Sequence, residues 1–299
     1  MKTNIRFVNT FLVCGIICIQ LLSCSKDSIE EKPLNAYNSP KDFFQNKKQK
    51  EEEYTIDTNG SCPLITKYGA RICPIKSHLK YPDRDDSVYF PFTLKMIELY
   101  TAKDIIYYEM QTMSGQNILA NAGELKIRAF KDTTELSLRS SKTWPLTIPG
   151  KNTMSDMKQY YGYTNKDKTD WITDPIGDFS KDDTSYSCLV QKVGWLAGAH
   201  EASTRISGKI TFTSTTDILI NVAIFIYIPS TKTVMQVANL VSDQIPSGTD
   251  VKIVAIAVNS SNQLYSFYKQ LTLGQNNETI NITMESISES DLDQRLNTL

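Results

Sequence analysis

Apolar and polar residues alternate in several short segments of the chain. Residues 90–96 place apolar side chains at every second position, and residues 124–129 follow the same pattern. A polar turn at residues 131–134 separates the second segment from another alternating one, which predicts a β-hairpin. These segments recur at short intervals without long helical patterns. The spacing therefore predicts an all-β protein built from sandwiches or barrels.

The second half of the chain repeats this pattern and adds one continuous apolar run. Residues 218–228 are apolar at almost every position, which predicts a central strand buried on both faces. Residues 251–258 and 264–268 flank a polar turn at residues 259–262 and predict another hairpin.

Two short helices are also predicted. Thr101 and Asp104 have the spacing of a capping box, so a helical turn is expected after Thr101. A second short helix is expected at the end of the sequence, with Ser290 as its N-cap. Its apolar face would consist of Leu292, Leu296 and Leu299.

The first 24 residues have the pattern of an export signal. Lys2 and Arg6 precede an apolar stretch at residues 7–22, which is short for a membrane span. The stretch ends in Leu-Leu-Ser-Cys at residues 21–24, which resembles the lipobox of bacterial lipoproteins. That resemblance implies that residues 1–23 are a signal peptide and that Cys24 carries the lipid. The alternatives are an ordinary secretory signal and an uncleaved membrane helix.

The residues after Cys24 bear on location. Ser25 replaces the Asp that commonly retains Gram-negative lipoproteins in the inner membrane, so an outer-membrane location is expected, facing either the cell surface or the periplasm. Residues 25–31 also resemble the short acidic export signals of Bacteroidota surface lipoproteins. Residues 24–53 are rich in polar and charged side chains, which predicts a flexible, lipid-anchored tether.

The remaining residues divide into two expected domains. Pro145 and the Pro-Gly pair at residues 149–150 suggest a boundary. We therefore expect one β-sandwich at residues 54–150. A second one, with the short terminal helix, is expected at residues 151–299.

Several segments resemble a family of Bacteroidota surface lipoproteins with β-sandwich domains. The resemblance covers most of residues 55–270 and implies Ig-like sandwiches, the first of them distantly similar to ZU5 domains. The family has no established activity, so the resemblance implies architecture and location only. Residues 196–200 depart from the family pattern, which commonly has Ile-Asn and an Asp there. The matching segments are residues 66–72, 95–100, 110–119, 122–129, 157–163 with Trp171, 193–195 and 245–254.

Charge excludes one class of partner. The chain has 32 basic and 33 acidic residues, and without Lys2 and Arg6 the balance is 30 to 33. No basic stripe is visible of the kind that contacts with nucleic-acid phosphates require. We therefore expect no nucleic-acid partner.

Candidate catalytic groups are few. His78 and His200 are the two histidines, and neither lies in a recognisable nucleophile or metal motif. Acidic residues cluster at positions 83–86 and 178–183 without the order of an EF-hand, so solvated loops are expected there. The chain is thus predicted to be a non-enzymatic protein without a cofactor or metal, and a hydrolase is the less favoured reading.

A group of aromatic residues is the best candidate for ligand binding. Tyr160, Tyr161, Tyr163 and Trp171 surround a polar stretch at residues 164–170. Exposed aromatic faces stack on sugars, while nearby polar groups bond sugar hydroxyls, so a glycan platform is one hypothesis. The other is that these rings fill the core or a domain junction.

Cysteine and Asp-Ser positions suggest modifications. Cys62 and Cys73 bracket a predicted hairpin, and a disulfide between them would stabilise the fold by roughly 3 kcal/mol. Two free buried thiols are the alternative, and Cys188 is expected to be buried and unpaired. Ser28, in Asp-Ser-Ile, resembles a Bacteroidota O-glycosylation site.

These observations favour an outer-membrane lipoprotein that serves as a binding or assembly module of the envelope. Its expected partners are the membrane, through the lipid anchor, and either a glycan or an envelope protein. The alternative is a structural or protein-interaction subunit, which would need an exposed apolar patch or an unprotected edge strand.

Overall fold

The computed structural model describes residues 34–58, 62–150, 154–165, 168–172, 176–202 and 207–299. Strands dominate, and residues Leu34–Leu299 form one compact unit. Short 3-10 turns lie at Lys76–His78 and Leu219–Asn221. The helices and strands follow one another as α1 (Lys41–Lys47), β1 (Glu52–Ile56), β2 (Leu64–Ile65), β3 (Arg71–Ile72), β4 (Leu79–Lys80), β5 (Phe92–Leu99), α2 (Ala102–Tyr107), β6 (Met113–Ser114), β7 (Asn117–Lys131), β8 (Thr134–Leu138), β9 (Trp144–Pro149), β10 (Lys158–Asn165), β11 (Lys168–Trp171), β12 (Ser180–Lys181), β13 (Ser185–Val190), β14 (Gly194–Glu201), β15 (Ser207–Gly208), β16 (Ile210–Thr213), β17 (Ala223–Ile228), β18 (Thr233–Gln236), β19 (Ile245–Pro246), β20 (Asp250–Val258), β21 (Leu264–Thr272), β22 (Glu278–Asn281), β23 (Glu285–Ser286) and α3 (Glu289–Asn297).

The first sandwich consists of two antiparallel sheets. Its wide sheet has the order β1-β5-β7-β14-β10-β11, and in addition β6 and β8 pair with β7 and β4 pairs with β8. The opposite sheet has the order β12-β13-β9-β3-β2. The alternating residues of β5 and β7, such as Leu94, Met96 and Ile127, point between the sheets and form the core together with Trp144. The predicted hairpin is confirmed, because β7 pairs with β8 around the turn after Lys131.

The expected division at residue 150 does not coincide with a division between sheets. Strands from both sides of that position share both sheets of the first sandwich, since β14 pairs with β7 and β13 pairs with β9. The first sandwich therefore extends to Glu201. Pro149 is the last residue of β9, and it pairs with β13 on one side only. Such a position tolerates proline.

The second sandwich is built from the remaining strands. One sheet has the order β18-β17-β20-β21-β23. The facing layer consists of the antiparallel pair β15-β19 and the parallel pair β16-β22. Ile226, Ile253, Phe212 and Ile280 lie in the core between these layers. The all-β fold with two sandwiches is thus confirmed.

A third apolar cluster, which we call the junction core, joins the two sandwiches. The outer face of the wide sheet contributes Leu99 and Ala197, and the outer face of β17 and β20 contributes Phe225 and Ile256. All three helices insert into the same cluster, for example through Leu292 of α3. The sheets of both sandwiches are therefore buried on both faces where they meet.

The long apolar run at residues 218–228 is a strand only in its second part. Within β17, Ile224 and Ile226 face the second-sandwich core while Phe225 faces the junction core, so burial on both faces is confirmed there. Residues before Ala223 form a 3-10 turn instead. Ile220 in that turn is 84% exposed, so the prediction was wrong for this part of the run.

The expected tether at residues 24–53 is wrong from residue 34 onward. Tyr37 is buried, and its hydroxyl donates to Asp217 at 2.6 Å. The backbone N–H of Asn38 donates to the carbonyl of Val258 at 2.7 Å. Phe44 of α1 is completely buried in the junction core. The segment has a polar average composition, but the buried side chains of Tyr37 and Phe44 attach it to the folded unit.

Both helix predictions hold, with one shift in position. Thr101 and Asp104 form the predicted capping box at the start of α2. Helix α3 begins after Ser288 rather than Ser290, because the Ser288 hydroxyl accepts the N–H of Asp291 at 3.1 Å. Asp293 of α3 accepts the Tyr107 hydroxyl of α2 at 2.6 Å and pairs with Lys47 of α1 at 3.1 Å.

Replacement of Phe44 by alanine tests whether the N-terminal segment belongs to the fold. Loss of a fully buried phenylalanine leaves a cavity in the junction core, so we expect the free energy of unfolding to fall by about 3–5 kcal/mol. Urea denaturation measures this change. Gln45→Ala, at an exposed position of the same helix, is the control and should change stability by less than about 0.5 kcal/mol. Equal stability of both variants would show that α1 is not part of the cooperative fold.

Candidate functional site

The aromatic residues predicted as a glycan platform are mostly buried. Tyr160, Tyr161 and Trp171 are between 1% and 5% exposed, whereas Tyr163 is 46% exposed. The Trp171 indole N–H donates to the carbonyl of Gln111 at 2.8 Å, inside the junction core. The platform prediction is therefore wrong for three of its four rings. The three buried rings lie on β10 and β11 rather than in an exposed loop, with Tyr161 in the first-sandwich core and Tyr160 and Trp171 in the junction core.

The structure pairs the cysteines as the sequence analysis expected. Cys62 and Cys73 form a disulfide that links the chain segments next to β2 and β3. Cys188 is a free, buried thiol in β13, and its burial raises its pKa to about 12. The predicted lipidation site Cys24 and the predicted glycosylation site Ser28 lie outside the described residues.

The two histidines occupy separate places on the first sandwich. His78 lies in a 3-10 turn, where its Nδ1 is 2.8 Å from the carbonyl of Thr143. His200 lies at the end of β14 and is half-buried. Within the described ranges, no group of His, Cys, Asp and Glu side chains could hold a metal ion. None of the helices described here has the length and apolar character needed to cross a bilayer.

A cavity of about 690 Å³ opens beside the junction core, and we call it the junction cleft. One side consists of the corner between β5 and α2 together with a part of β7. The other side consists of the β17–β18 hairpin and the end of α3. The cleft therefore depends on both sandwiches and on two helices. Its lining residues are Tyr100, Thr101, Ala102, Ile105, Asn121, Ala122, Gly123, Pro149, Gly150, Thr184, Tyr227, Lys232, Leu296, Asn297 and Leu299.

A β-bulge shapes the floor of the cleft. Strand β14 pairs Gly198 with Gly123 and Ala199 with Asn121, so Ala122 has no partner in this register. Gly123 has a φ of +148°, and a Cβ atom there would lie 2.8 Å from the ring of Tyr100. Glycine is therefore required at this position both by the backbone conformation and by the close approach of the ring.

Hydrogen bonds hold two polar side chains of the cleft in place. The Asn121 amide oxygen accepts the N–H of Gly123 at 2.8 Å. The Tyr100 hydroxyl donates to Glu98 at 2.8 Å, and the same carboxylate oxygen accepts the N–H of Ala70 at 3.2 Å. Burial and the adjacent Glu98 raise the pKa of Tyr100 well above its ordinary value, so its hydroxyl stays protonated. The cleft is thus pre-formed on this side.

The described lining of the cleft carries little charge. Among its described lining residues, Lys232 is basic and none is acidic. Tyr227 is half-buried, and its burial raises the pKa of its phenol. The arrangement provides two tyrosine rings, an amide, hydroxyls and several apolar side chains, which suits a neutral or weakly anionic molecule with both apolar and hydrogen-bonding parts.

Glu124, next to Gly123 in β7, is a buried group that sequence reasoning missed. It is 0% exposed, and its Oε1 accepts the Thr112 hydroxyl at 3.0 Å. Its Oε2 is buried without a hydrogen-bond partner in the described part of the chain. Burial raises its pKa from 4.5 to about 8. Alternation in residues 124–129 places Glu124 on the polar side of the strand, where it bonds Thr112, whose backbone N–H in turn donates to the carbonyl of Val234 in β18 at 2.7 Å.

No protein-family model, curated protein or solved structure matches this chain. The cleft is therefore interpreted from its own residues. Sequence reasoning found none of its central groups, because Tyr100, Asn121 and Tyr227 lie far apart in the sequence and are brought together by the contact between the two sandwiches.

Glu124 predicts a pH dependence of stability. Between about pH 4.5 and 8 the folded protein holds a proton on Glu124 that the unfolded chain has released, so stability should fall as pH rises through this window. Above about pH 8 the effect is complete, with an upper limit of about 5 kcal/mol. We expect Glu124→Gln to remove this dependence, measured by urea denaturation at pH 5, 6.5 and 8.5.

Glu135→Gln is the matched control for this experiment. A hydrogen bond from Arg128 lowers the pKa of Glu135, so its contribution to stability is present above its unfolded-state pKa and is lost only in acid. This control should keep the wild-type slope between pH 5 and 8.5. Identical slopes in the wild type and Glu124→Gln would show that Glu124 is ionised in the folded protein at neutral pH.

Proposed function

We propose that this chain is a lipid-anchored, non-enzymatic binding module of a bacterial outer membrane and that the junction cleft is its ligand site. The Leu-Leu-Ser-Cys sequence at residues 21–24 supports the anchor. The single observation that carries the binding function is the 690 Å³ cleft between two sandwiches. Its size lies within the range of sites for small organic ligands.

The chemistry of the lining favours a neutral, polyhydroxylated ligand such as a glycan fragment. Tyr100 and Tyr227 supply aromatic surface for the apolar faces of sugar rings. The Asn121 amide and the Tyr227 hydroxyl supply hydrogen-bonding groups, and acidic side chains are absent from the described lining. This site replaces the predicted platform around Trp171, whose ring is buried.

The lining supports binding rather than chemistry. Its described residues include hydroxyl, amide and apolar side chains, but no Asp, Glu, His or Cys. Residues of these four types commonly serve as general acids, general bases or metal ligands in hydrolases. The bulge at Ala122 and the capping of α2 by Thr101 give the cleft a rigid wall, which reduces the entropy lost on binding.

A second candidate function is that of a protein-interaction subunit, and it is favoured by the opposite sheet of the first sandwich. Strand β12 covers only Tyr186 and Ser187 of β13, so the rest of β13 has no named strand on that side in the described chain. Leu189 in this uncovered part is 54% exposed. A partially uncovered edge with an exposed apolar side chain can accept a strand from another protein.

The anchor is tested by growth with a radioactive fatty acid. The wild-type chain should incorporate the label and Cys24→Ala should not, because the thiol of Cys24 is the proposed attachment point. Equal labelling of both chains would show that Cys24 is not the lipidated residue.

The ligand site is tested with a glycan array and isothermal titration of the glycans that bind. Ala102→Trp places a large ring in the cleft, so we expect at least a tenfold loss of affinity through steric exclusion, on the order of 1.4 kcal/mol. Tyr227→Ala should weaken binding by about 1 kcal/mol through loss of aromatic contact.

Two control variants accompany these measurements. Lys103→Trp adds the same ring one residue away, at a position outside the described lining, and Tyr163→Ala removes an exposed tyrosine from β10. Both should bind as the wild type does, with thermal melts confirming that every variant is folded. Binding that survives Ala102→Trp, or that is lost equally in Lys103→Trp, would contradict the assignment of the cleft. Binding of envelope proteins without any glycan would favour the second candidate.

A further inference from the structure

Three large aliphatic side chains are exposed at one end of the second sandwich. Leu34 is 47% exposed, Ile218 is 42% exposed and Ile220 is 84% exposed. They belong to two neighbouring segments, because Asn35 and Asp217 form a β-bridge. The backbone N–H of Asn35 donates to Thr216 at 2.9 Å, and that of Ile218 donates to Asn35 at 2.8 Å. We call Leu34, Ile218 and Ile220 the apolar tip.

Buried polar contacts fix the backbone beneath the apolar tip. Asp217 is 3% exposed and accepts the Tyr37 hydroxyl at 2.6 Å, the Thr216 hydroxyl at 2.6 Å and the N–H of Met284 at 3.1 Å. The Asn221 amide donates to the carbonyl of Tyr37 at 2.7 Å. The 3-10 turn that carries Ile220 is therefore held at both ends, and Ile220 is presented to the outside by an ordered support.

Along the chain, the two described segments that carry the tip, residues 34–40 and 213–222, are polar but uncharged apart from Asp217. In residues 34–40 the polar side chains are those of Asn, Tyr and Ser. In residues 213–222 they are those of Ser, Thr and Asn, and Asp217 is the single ionisable group. Asp217 is buried and fully engaged by the hydrogen bonds given above. Aliphatic side chains flanked along these segments by neutral hydrogen-bonding residues suit the boundary between the headgroups and the acyl chains of a bilayer.

The position of the tip in the sequence points to the same partner. Leu34 is ten residues after Cys24, the proposed lipid attachment site. Ten residues span at most about 36 Å when fully extended, so a lipid on Cys24 keeps Leu34 within that distance of the membrane surface. We propose that the apolar tip inserts into the lipid surface as a second membrane contact. This inference rests on the anchor part of the proposed function.

A second contact would fix the orientation of the protein on the membrane. Attachment at a single point leaves the folded part free to rotate, whereas an attachment plus an inserted tip sets one end of the second sandwich against the bilayer. Shallow insertion of apolar side chains by itself gives weak binding that is measurable at high lipid concentration, and the anchor strengthens it by raising the local concentration.

The test uses a chain that begins at Ser25, which lacks both the signal and Cys24. All three apolar cores are built from residues 37–296, so this chain retains the complete compact unit. Flotation with vesicles of phosphatidylethanolamine and phosphatidylglycerol measures the bound fraction over a series of lipid concentrations. We expect measurable binding of the unacylated wild type and a loss of about fivefold or more in its partition coefficient with Ile220→Ser.

Ile65→Ser is the matched control, since Ile65 is 61% exposed on the first sandwich and is not part of the tip. It should bind vesicles as the wild type does, and thermal melts should show that both variants are folded. No wild-type binding at the highest lipid concentration would overturn the proposal. Equal binding of the wild type and Ile220→Ser, or equal losses in both variants, would overturn it as well.

Fatty-acid labelling of the full chain separates the tip from the anchor. Label on Cys24 together with unchanged binding of Ile220→Ser would leave the anchor in place and overturn the tip. Absence of label together with a specific loss in Ile220→Ser would overturn the anchor and support the tip as a membrane contact.

Discussion

The contact between the two sandwiches is the interaction on which the rest of this structure depends. In most antiparallel sandwiches the outer face of each sheet is polar and meets water. Here the outer face of the wide sheet carries Leu99 and Ala197, and the facing sheet of the second sandwich carries Phe225 and Ile256. Neither face is stable in water on its own, so each is covered by the other and by the three helices.

The principal features of the molecule follow from this contact. Two twisted sheets cannot meet along their whole length, and the helices fill part of the space that remains. The unfilled part is the junction cleft, with Tyr100 on one side and Tyr227 on the other. The buried carboxyl of Glu124 is linked to β18 of the second sandwich through Thr112, and Phe44 docks in the junction core. The candidate ligand site is thus a consequence of how the sandwiches pack.

Local pattern predicted much of the local structure, although not the 3-10 turn at Leu219–Asn221. Alternation found β5 and the β7–β8 hairpin, the Thr101–Asp104 spacing found the start of α2, and the positions of Cys62 and Cys73 suggested their pairing. Each of these features depends on residues close in the sequence. The same reasoning failed for Tyr37 and Phe44, because average composition concealed single aromatic residues that bury themselves in distant cores.

The site was beyond the reach of such reasoning for a related physical reason. Alternation tells which side chains share a face of a strand, but it does not tell what covers that face. Glu124 lies on a polar-looking face but is completely buried, and Tyr160 and Trp171 belong to the junction core. The boundary at residue 150 was misplaced because β10 to β14 return to sheets that begin before that position.

Differential scanning calorimetry tests most directly whether the junction core makes the two sandwiches one cooperative structure. The chain from Ser25, with the disulfide between Cys62 and Cys73 intact, is heated at a constant pH. If the two sandwiches unfold together, a single transition is expected in which the calorimetric and van't Hoff enthalpies of unfolding agree. Two resolved transitions, each with the enthalpy expected for one sandwich, would contradict this joint unfolding and would make the junction a contact between independent domains.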